Sequence, residues 1–146
     1  MKRLLPLLLL PLLAGCASSP KTKVRQWAGN ESAVPAAGFV AIRDADAWRS
    51  LWEKIERDAP AVDLETHFAV AVFLGDKRPG DYSMAWRWRT EEGGKVFVFG
   101  YEARRRGSDV GPRRRPYGVW LFPRSVAAPD AEVRVEDRTP GGAPLL

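Results

Sequence analysis

The chain has 146 residues, with 23 lysines and arginines against 18 acidic residues and a formal net charge of +5. A single cysteine excludes an intramolecular disulfide, and a single histidine, His67, supplies too few ligands for a metal site of the usual kind. No Gly-x-Ser-x-Gly elbow and no glycine-rich phosphate loop occurs in the sequence. The sequence therefore predicts a protein that is not an enzyme and that uses no cofactor and no metal.

The first 15 residues have the layout of a secretory signal. Two basic residues precede a leucine-rich run about half as long as the roughly 20 residues that a transmembrane helix needs. The next residues, Leu13-Ala14-Gly15-Cys16, resemble the lipobox of bacterial lipoproteins, in which a peptidase cuts before an acylated cysteine. This resemblance implies lipidation of Cys16, for example by palmitate, and firm anchoring to a membrane. The alternative is an ordinary signal peptide with a chance cysteine.

The residue after the cysteine bears on localisation. In lipoproteins of Gram-negative bacteria, an Asp at that position favours the inner membrane, and here the position holds Ala17. The resemblance therefore implies a cell-envelope protein at the outer membrane, facing the periplasm.

Composition divides the rest of the chain into three parts. Residues 16–37 are rich in Ser, Pro, Gly, Lys and Ala and are predicted to form a lipidated flexible tether. Residues 38–138 have the length of one small domain with one core. Residues 139–146 contain two prolines and two glycines and are predicted to be a disordered tail.

The domain is predicted to begin with a strand and an amphipathic helix. Residues 38–43 have strand character, and Asp44 can cap a helix that follows. The helix has one apolar face with the i, i+3, i+4, i+7 spacing, made of Trp48, Leu51, Trp52 and Ile55. We expect it to end before Pro60 and to pack through its tryptophans.

Five more strands are predicted after the helix. Residues 68–74 are almost wholly apolar, as in a strand covered on both sides, and residues 83–89 alternate between apolar and polar. A turn at 91–94 leads to a strand at 95–104, and two further strands are predicted at 117–122 and 131–137. The order β-α-β-β-β-β-β predicts an α+β domain with one helix packed on a largely antiparallel sheet.

Two segments next to these elements partly match the hallmark motifs of one protein family. The family has a Thr-Gly-Gly-Tyr stretch after the apolar strand, and the corresponding residues here are Pro79-Gly80-Asp81-Tyr82. Its later Pro-Tyr pair corresponds to Pro116-Tyr117. With the order and spacing of residues 38–52, 60–64 and 70–75, the chain resembles the PrcB-type protease complex subunit family. Pro79 and Asp81 depart from the motif.

The resemblance implies a noncatalytic lipoprotein domain that binds, assembles or stabilises a partner protein, with an envelope protease as one such partner. One alternative is an inhibitor similar to chagasin, whose two loops resemble Gly80-Asp81-Tyr82 and Arg115-Pro116-Tyr117. The predicted helix disagrees with that all-β fold. A module that binds an envelope glycan or another anionic ligand is a further alternative.

An arginine-rich loop follows the strand at 95–104. It contains six arginines, Arg104, Arg105, Arg106, Arg113, Arg114 and Arg115. Guanidinium groups bind carboxylates and phosphates in a bidentate manner, although a solvated loop is the alternative. Nucleic acid is not an expected partner, because the protein is exported and no aromatic residue lies between Tyr101 and Tyr117 to stack on bases.

The candidate partner site combines this loop with the turn before the strand at 83–89. If the strands at 83–89 and 95–104 form a hairpin, the turn and the loop lie at the same end of the sheet. The predicted partner-binding residues are Gly80, Asp81, Tyr82, Arg105, Arg114, Pro116 and Tyr117. The alternative for the two tyrosines is that they begin their strands and pack inward.

Overall fold

The computed structural model describes residues 21–141. The predicted signal peptide, the lipidation site Cys16 and residues 142–146 of the predicted tail lie outside this range. The described chain forms one α-helix and seven strands: β1 Arg25–Gly29, β2 Gly38–Ile42, α1 Ala45–Ile55, β3 His67–Phe73, β4 Asp81–Glu91, β5 Val96–Arg106, β6 Tyr117–Pro123 and β7 Glu132–Asp137.

The predicted α+β class is confirmed, and the order of elements from β2 onward is the predicted one. The strands form two sheets. One has four antiparallel strands in the order β1-β6-β3-β2, and the other has three in the order β4-β5-β7. The hairpin of β4 and β5 is antiparallel, as predicted, whereas β7 lies parallel to β5.

Strand β1 lies within the residues that were predicted to be a tether. It pairs with β6 over its whole length, from Arg25 opposite Leu121 to Gly29 opposite Tyr117. The prediction of a flexible tether is therefore wrong for residues 25–29, and the folded domain begins before residue 38. At the other end, the Thr139 hydroxyl accepts a hydrogen bond from Ala103 N at 2.9 Å, so Thr139 is attached to β5.

The helix covers one face of the four-stranded sheet. Asp44 caps it as predicted, since its carboxylate accepts a hydrogen bond from Ala47 N at 2.8 Å. Its predicted apolar face is buried against β3 and β6, and Trp48 and Trp52 contact each other edge to face at 5.5 Å. Trp27 of β1 contacts both rings, so β1 completes this aromatic cluster. Among residues 21–141, no helix is long and apolar enough to span a membrane.

The three-stranded sheet covers the opposite face. Alternate residues of β3 and β6, such as Val70 and Phe122, pack against Phe97 and Phe99 of β5. Strand β3 is therefore central and buried on both sides, as its apolar run predicts. The domain thus has three layers, helix, sheet and sheet, with a core on each side of the middle layer.

Candidate functional site

Strand pairing brings the two predicted segments together at one end of the domain. Asp81 lies opposite Arg106 at the open end of the β4–β5 hairpin, and the connecting turn at Glu92–Gly94 lies at the other end. Further along, Lys77 and Arg114 form an isolated bridge, with backbone hydrogen bonds of 2.8 and 2.9 Å. We refer to residues 76–81 and 104–115 together as the basic end.

Arg105 links the two segments of the basic end, residues 104–115 and residues 76–81. Its Nε donates to Pro79 O at 2.7 Å, and its guanidinium also contacts Ser108 O and the Asp109 carboxylate. Gly80 has a φ of 135° and lies so close that an added Cβ would be 2.9 Å from Arg105 Nε. The Arg105 side chain is only 19 % exposed. Arg105 therefore acts as a structural link between the two segments, and Gly80 allows their close approach.

Arg114 and Arg115 make two further links. The Arg114 guanidinium pairs with the Glu31 carboxylate, and its Nε is buried without a hydrogen-bond partner in the described part of the chain. Arg115 Nε donates to Asp76 Oδ1 at 2.7 Å. This hydrogen bond from Arg115 lowers the pKa of Asp76 below its ordinary value, and the charge of the nearby Arg113 adds to the effect.

Asn30 connects the basic end to the four-stranded sheet. Its side-chain oxygen accepts a hydrogen bond from Tyr82 N at 2.9 Å, and its backbone oxygen accepts one from Arg115 N at 2.9 Å. Asn30 and Glu31 follow β1, in the segment predicted to be a tether. Sequence reasoning missed both, because their partners lie 52 and 83 residues further along the chain.

Other cations of the basic end face solvent. Arg106 and Arg113 are exposed and form no ion pair or side-chain hydrogen bond with any of residues 21–141. Arg78 and Arg104 have long, exposed pairings of 3.7 Å with Asp109 and 3.4 Å with Glu102. Arg104, Arg105 and Arg106 belong to the end of β5 and not to a loop. The six arginines therefore have two roles, structural links and solvent-facing charges.

Pro116 and Tyr117 do not project from the loop, as a direct partner contact would require. Both are buried, and Tyr117, only 1 % exposed, packs against Trp52 at 6.5 Å. A Cβ at Gly29 would lie 2.8 Å from the Tyr117 ring, so strand β1 closes over it. The Tyr117 hydroxyl has no hydrogen-bond partner among residues 21–141, and burial raises its pKa. The alternative in which this tyrosine packs inward is the one that the structure shows.

Tyr82 is half-buried rather than projecting. Its ring packs at the edge of the core between the two sheets, and its hydroxyl donates to Arg78 O at 3.0 Å. Of the predicted site residues, Asp81 is exposed, whereas Gly80, Tyr82, Arg105 and Arg114 are partly buried in the linkage of the two segments. The structure thus brings the predicted segments together but turns most of the named residues inward.

A second arginine-rich region lies on the outer face of the three-stranded sheet. Arg89 contacts the carboxylates of Glu91 and Glu136, both at 2.9 Å, and these hydrogen bonds raise its pKa. Arg134 pairs with Glu132 at 2.9 Å. Next to these pairs, a shallow hollow of about 380 Å³ is lined by Ala85, Trp86, Arg87, Gly100, Tyr101, Glu102 and Arg138. Carboxylates on alternate positions neutralise most of this face.

The remaining candidate, His67, lies at the start of β3. Its Nδ1 is 2.8 Å from the Thr66 hydroxyl, so a neighbour in the chain supplies its hydrogen bond. Within residues 21–141, no three His, Cys, Asp or Glu side chains are grouped so that they could hold a metal ion.

Comparison with known proteins gives no relative. No protein-family model, curated protein or solved structure matches this chain. The resemblance to the PrcB-type family stays a prediction.

Proposed function

We propose that the protein is a noncatalytic lipoprotein of the cell envelope whose domain binds a partner protein through the basic end. An envelope protease is the candidate partner, as the PrcB-type resemblance implies. The proposed anchor is lipid on Cys16, and the proposed location is the periplasmic face of the outer membrane.

The observation that carries the proposal is the way in which the basic end is built. Arg105, Arg114 and Arg115 join three separate parts of the chain, so the exposed charges stand on a fixed support. A surface that is ordered before binding loses less conformational entropy on association. Arginine is also one of the residues enriched in protein interfaces. At the tip of the loop, Val110 is 87 % exposed and offers an apolar contact beside these charges.

The inhibitor alternative loses its main support. A loop similar to that of chagasin needs an exposed aromatic residue after Arg115 and Pro116, and Tyr117 is buried in the core. The domain also contains α1, which an all-β sandwich lacks. We therefore favour a protein that binds or assembles with its partner over one that inserts these loops into an active site.

Photo-cross-linking in the intact envelope tests the partner. A photoreactive residue placed at position 106 or 113 should cross-link to one envelope protein, and we expect that protein to be a protease. The matched control is position 49, because Arg49 is exposed on the helix, away from the basic end. Equal cross-linking from all three positions would contradict the proposal, since it would show only random encounter.

The anchor is tested separately. Mass spectrometry of the membrane fraction should show a mature chain that begins at Cys16 and carries acyl groups. The Cys16→Ala variant should leave the membrane fraction. A variant that is cleaved near residue 15 and still stays at the membrane would rule out lipid on Cys16 as the anchor.

A further inference from the structure

The basic end divides its cations by side-chain environment. The side chains of Arg105 and Arg114 are 19 % and 28 % exposed, and each is committed to an internal partner. Arg106 and Arg113 are exposed and make no ion pair within the described residues. A guanidinium that forms no ion pair has all of its N–H donors available to a partner, whereas a paired arginine offers fewer.

The unpaired charges lie on a surface with a net positive field. Lys77, Arg78 and the six arginines of residues 104–115 face five acidic residues, Glu31, Asp76, Asp81, Glu102 and Asp109, and all five contact residues of the basic end or Asn30. Fields of this kind steer oppositely charged partners and raise association rates. A complementary partner surface is therefore rich in carboxylates.

The path of the chain indicates which way this surface points. Strand β1 runs toward the basic end, since Gln26 contacts Trp86 in the middle of β4 and Asn30 contacts Tyr82 near its start. The chain therefore reaches the domain from the side opposite to the basic end. The segment 16–24 has nine residues and spans at most about 30 Å when extended. Because β1 enters the domain from that side, the proposed anchor at Cys16 favours an orientation in which the basic end faces the aqueous compartment.

We infer that the partner of the basic end is an acidic protein surface in the aqueous compartment, bound through Arg106 and Arg113, and not the headgroups of the anchoring membrane. The inference rests on the proposed function and deepens it by naming the chemistry and the direction of the partner. Each exposed guanidinium can hold a planar carboxylate with two parallel hydrogen bonds. Salt weakens such exposed contacts, because the Debye length is about 8 Å at physiological ionic strength.

The test uses the full lipidated protein in phosphatidylcholine vesicles and a fluorescent peptide of twelve glutamates as the probe. Arg106→Ser with Arg113→Ser should weaken binding about tenfold, which corresponds to about 1.4 kcal/mol. The matched control is Lys95→Ser with Arg87→Ser, because both residues are exposed and form no ion pair within residues 21–141. Lys95 follows the turn at the opposite end of the hairpin, and the net charge changes equally. The control should retain wild-type affinity within about twofold.

Three results would overturn the inference. Equal weakening in both double variants would show that the peptide senses only net charge. Binding that does not change with salt would exclude an electrostatic contact. If vesicles that contain phosphatidylglycerol hold the basic end more tightly than the peptide does, and the Arg106 and Arg113 changes remove that binding, the surface recognises lipid phosphate.

Failure of this inference can be separated from failure of the proposed function. A cross-linked partner at position 106 or 113, without salt-dependent peptide binding, would overturn the acidic chemistry and leave the proposed function standing. Absence of any cross-linked protein from these positions would overturn the proposed function itself.

Discussion

The basic end and the outer face of the three-stranded sheet are both rich in arginine, yet they differ in how their charge is compensated. On the sheet, Arg89 pairs with Glu91 of its own strand and with Glu136 of β7, and Arg134 pairs with Glu132 of its own strand. At the basic end, the carboxylates are used by arginines that link loops, and Arg106 and Arg113 stay unpaired within residues 21–141. The number of arginines therefore does not identify a binding surface, whereas the pairing of each guanidinium does.

The largest expected effect on stability concerns the aromatic core under the helix, and it is the reference for the smaller effects expected at the two arginine-rich regions. Trp52→Ala removes a ring that is 2 % exposed and contacts Trp27, Trp48 and Tyr117. We expect a loss of about 3 to 5 kcal/mol in the free energy of unfolding, because the cavity cannot close between the helix and the sheet. Urea denaturation measures it. A loss below about 1 kcal/mol would show that the helix contributes little to the core.

The next effect separates the two arginine regions. Arg105→Ser removes hydrogen bonds to Pro79 O and Ser108 O from a mostly buried side chain, so we expect a loss of about 2 kcal/mol. Arg89→Ser is the control, since its ion pairs on the sheet are exposed and should leave the melting temperature nearly unchanged. Thermal unfolding of the two variants checks the difference. A larger loss in Arg89→Ser would reverse our assignment of structural and surface arginines.

A smaller effect, of opposite sign, concerns the residue that ends the arginine loop. Tyr117→Phe removes a buried hydroxyl with no partner in the described chain, and we expect a gain of about 1 kcal/mol. Because burial raises the pKa of Tyr117, the wild type loses stability as the pH rises above 10, where the unfolded tyrosine ionises. The Tyr117→Phe variant should lose less stability over the same pH range. Chemical denaturation at neutral and alkaline pH measures both effects, and a destabilised variant would indicate that the hydroxyl has a partner.

The smallest effect is local to the basic end. Arg115 lowers the pKa of Asp76, so this carboxylate contributes to stability at neutral pH, and the contribution is lost as the pH falls through the lowered pKa. In Arg115→Ser the pKa of Asp76 should rise. NMR titration of the carboxyl carbon measures it, with Glu132 as the internal control, because the pKa of Glu132 is lowered by Arg134 instead. An unchanged Asp76 would show that the link to Arg115 does not form in solution.

Most of the fold could be predicted because its elements have strong local signals. The helix has four large apolar residues at helical spacing and a capping Asp44, and β3 is a continuous apolar run. Strand β1 lacks such a signal, since Trp27 is its only large apolar residue. The division into two sheets and the parallel pairing of β5 with β7 depend on contacts between distant strands. Hydrophobic periodicity carries no information about which strands pair.

The position of the candidate site could be predicted from the sequence, but the role of each residue in it could not. The hairpin prediction correctly put the turn at residues 80–83 and the arginine loop at one end. Which arginine faces solvent depends on partners such as Glu31 and Pro79, which are distant in sequence or belong to the backbone. The sequence left open whether Tyr117 projects or packs inward, because Pro116 precedes it at the end of a loop. Its position in β6, opposite Gly29 of an unpredicted strand, is what buries it.

The pairing of β1 with β6 also bears on the kinetics of folding. Arg25 lies opposite Leu121, so the strand that follows the proposed anchor has no partner until most of the chain is present. Domains that depend on pairings this distant in sequence fold slowly, because a long loop must close before any contact stabilises it. A chain that crosses a membrane with its amino end first would therefore stay unfolded during passage. If the chain is exported and lipidated as we propose, lipid attachment to Cys16 precedes folding, and the domain completes its central sheet only after export has ended.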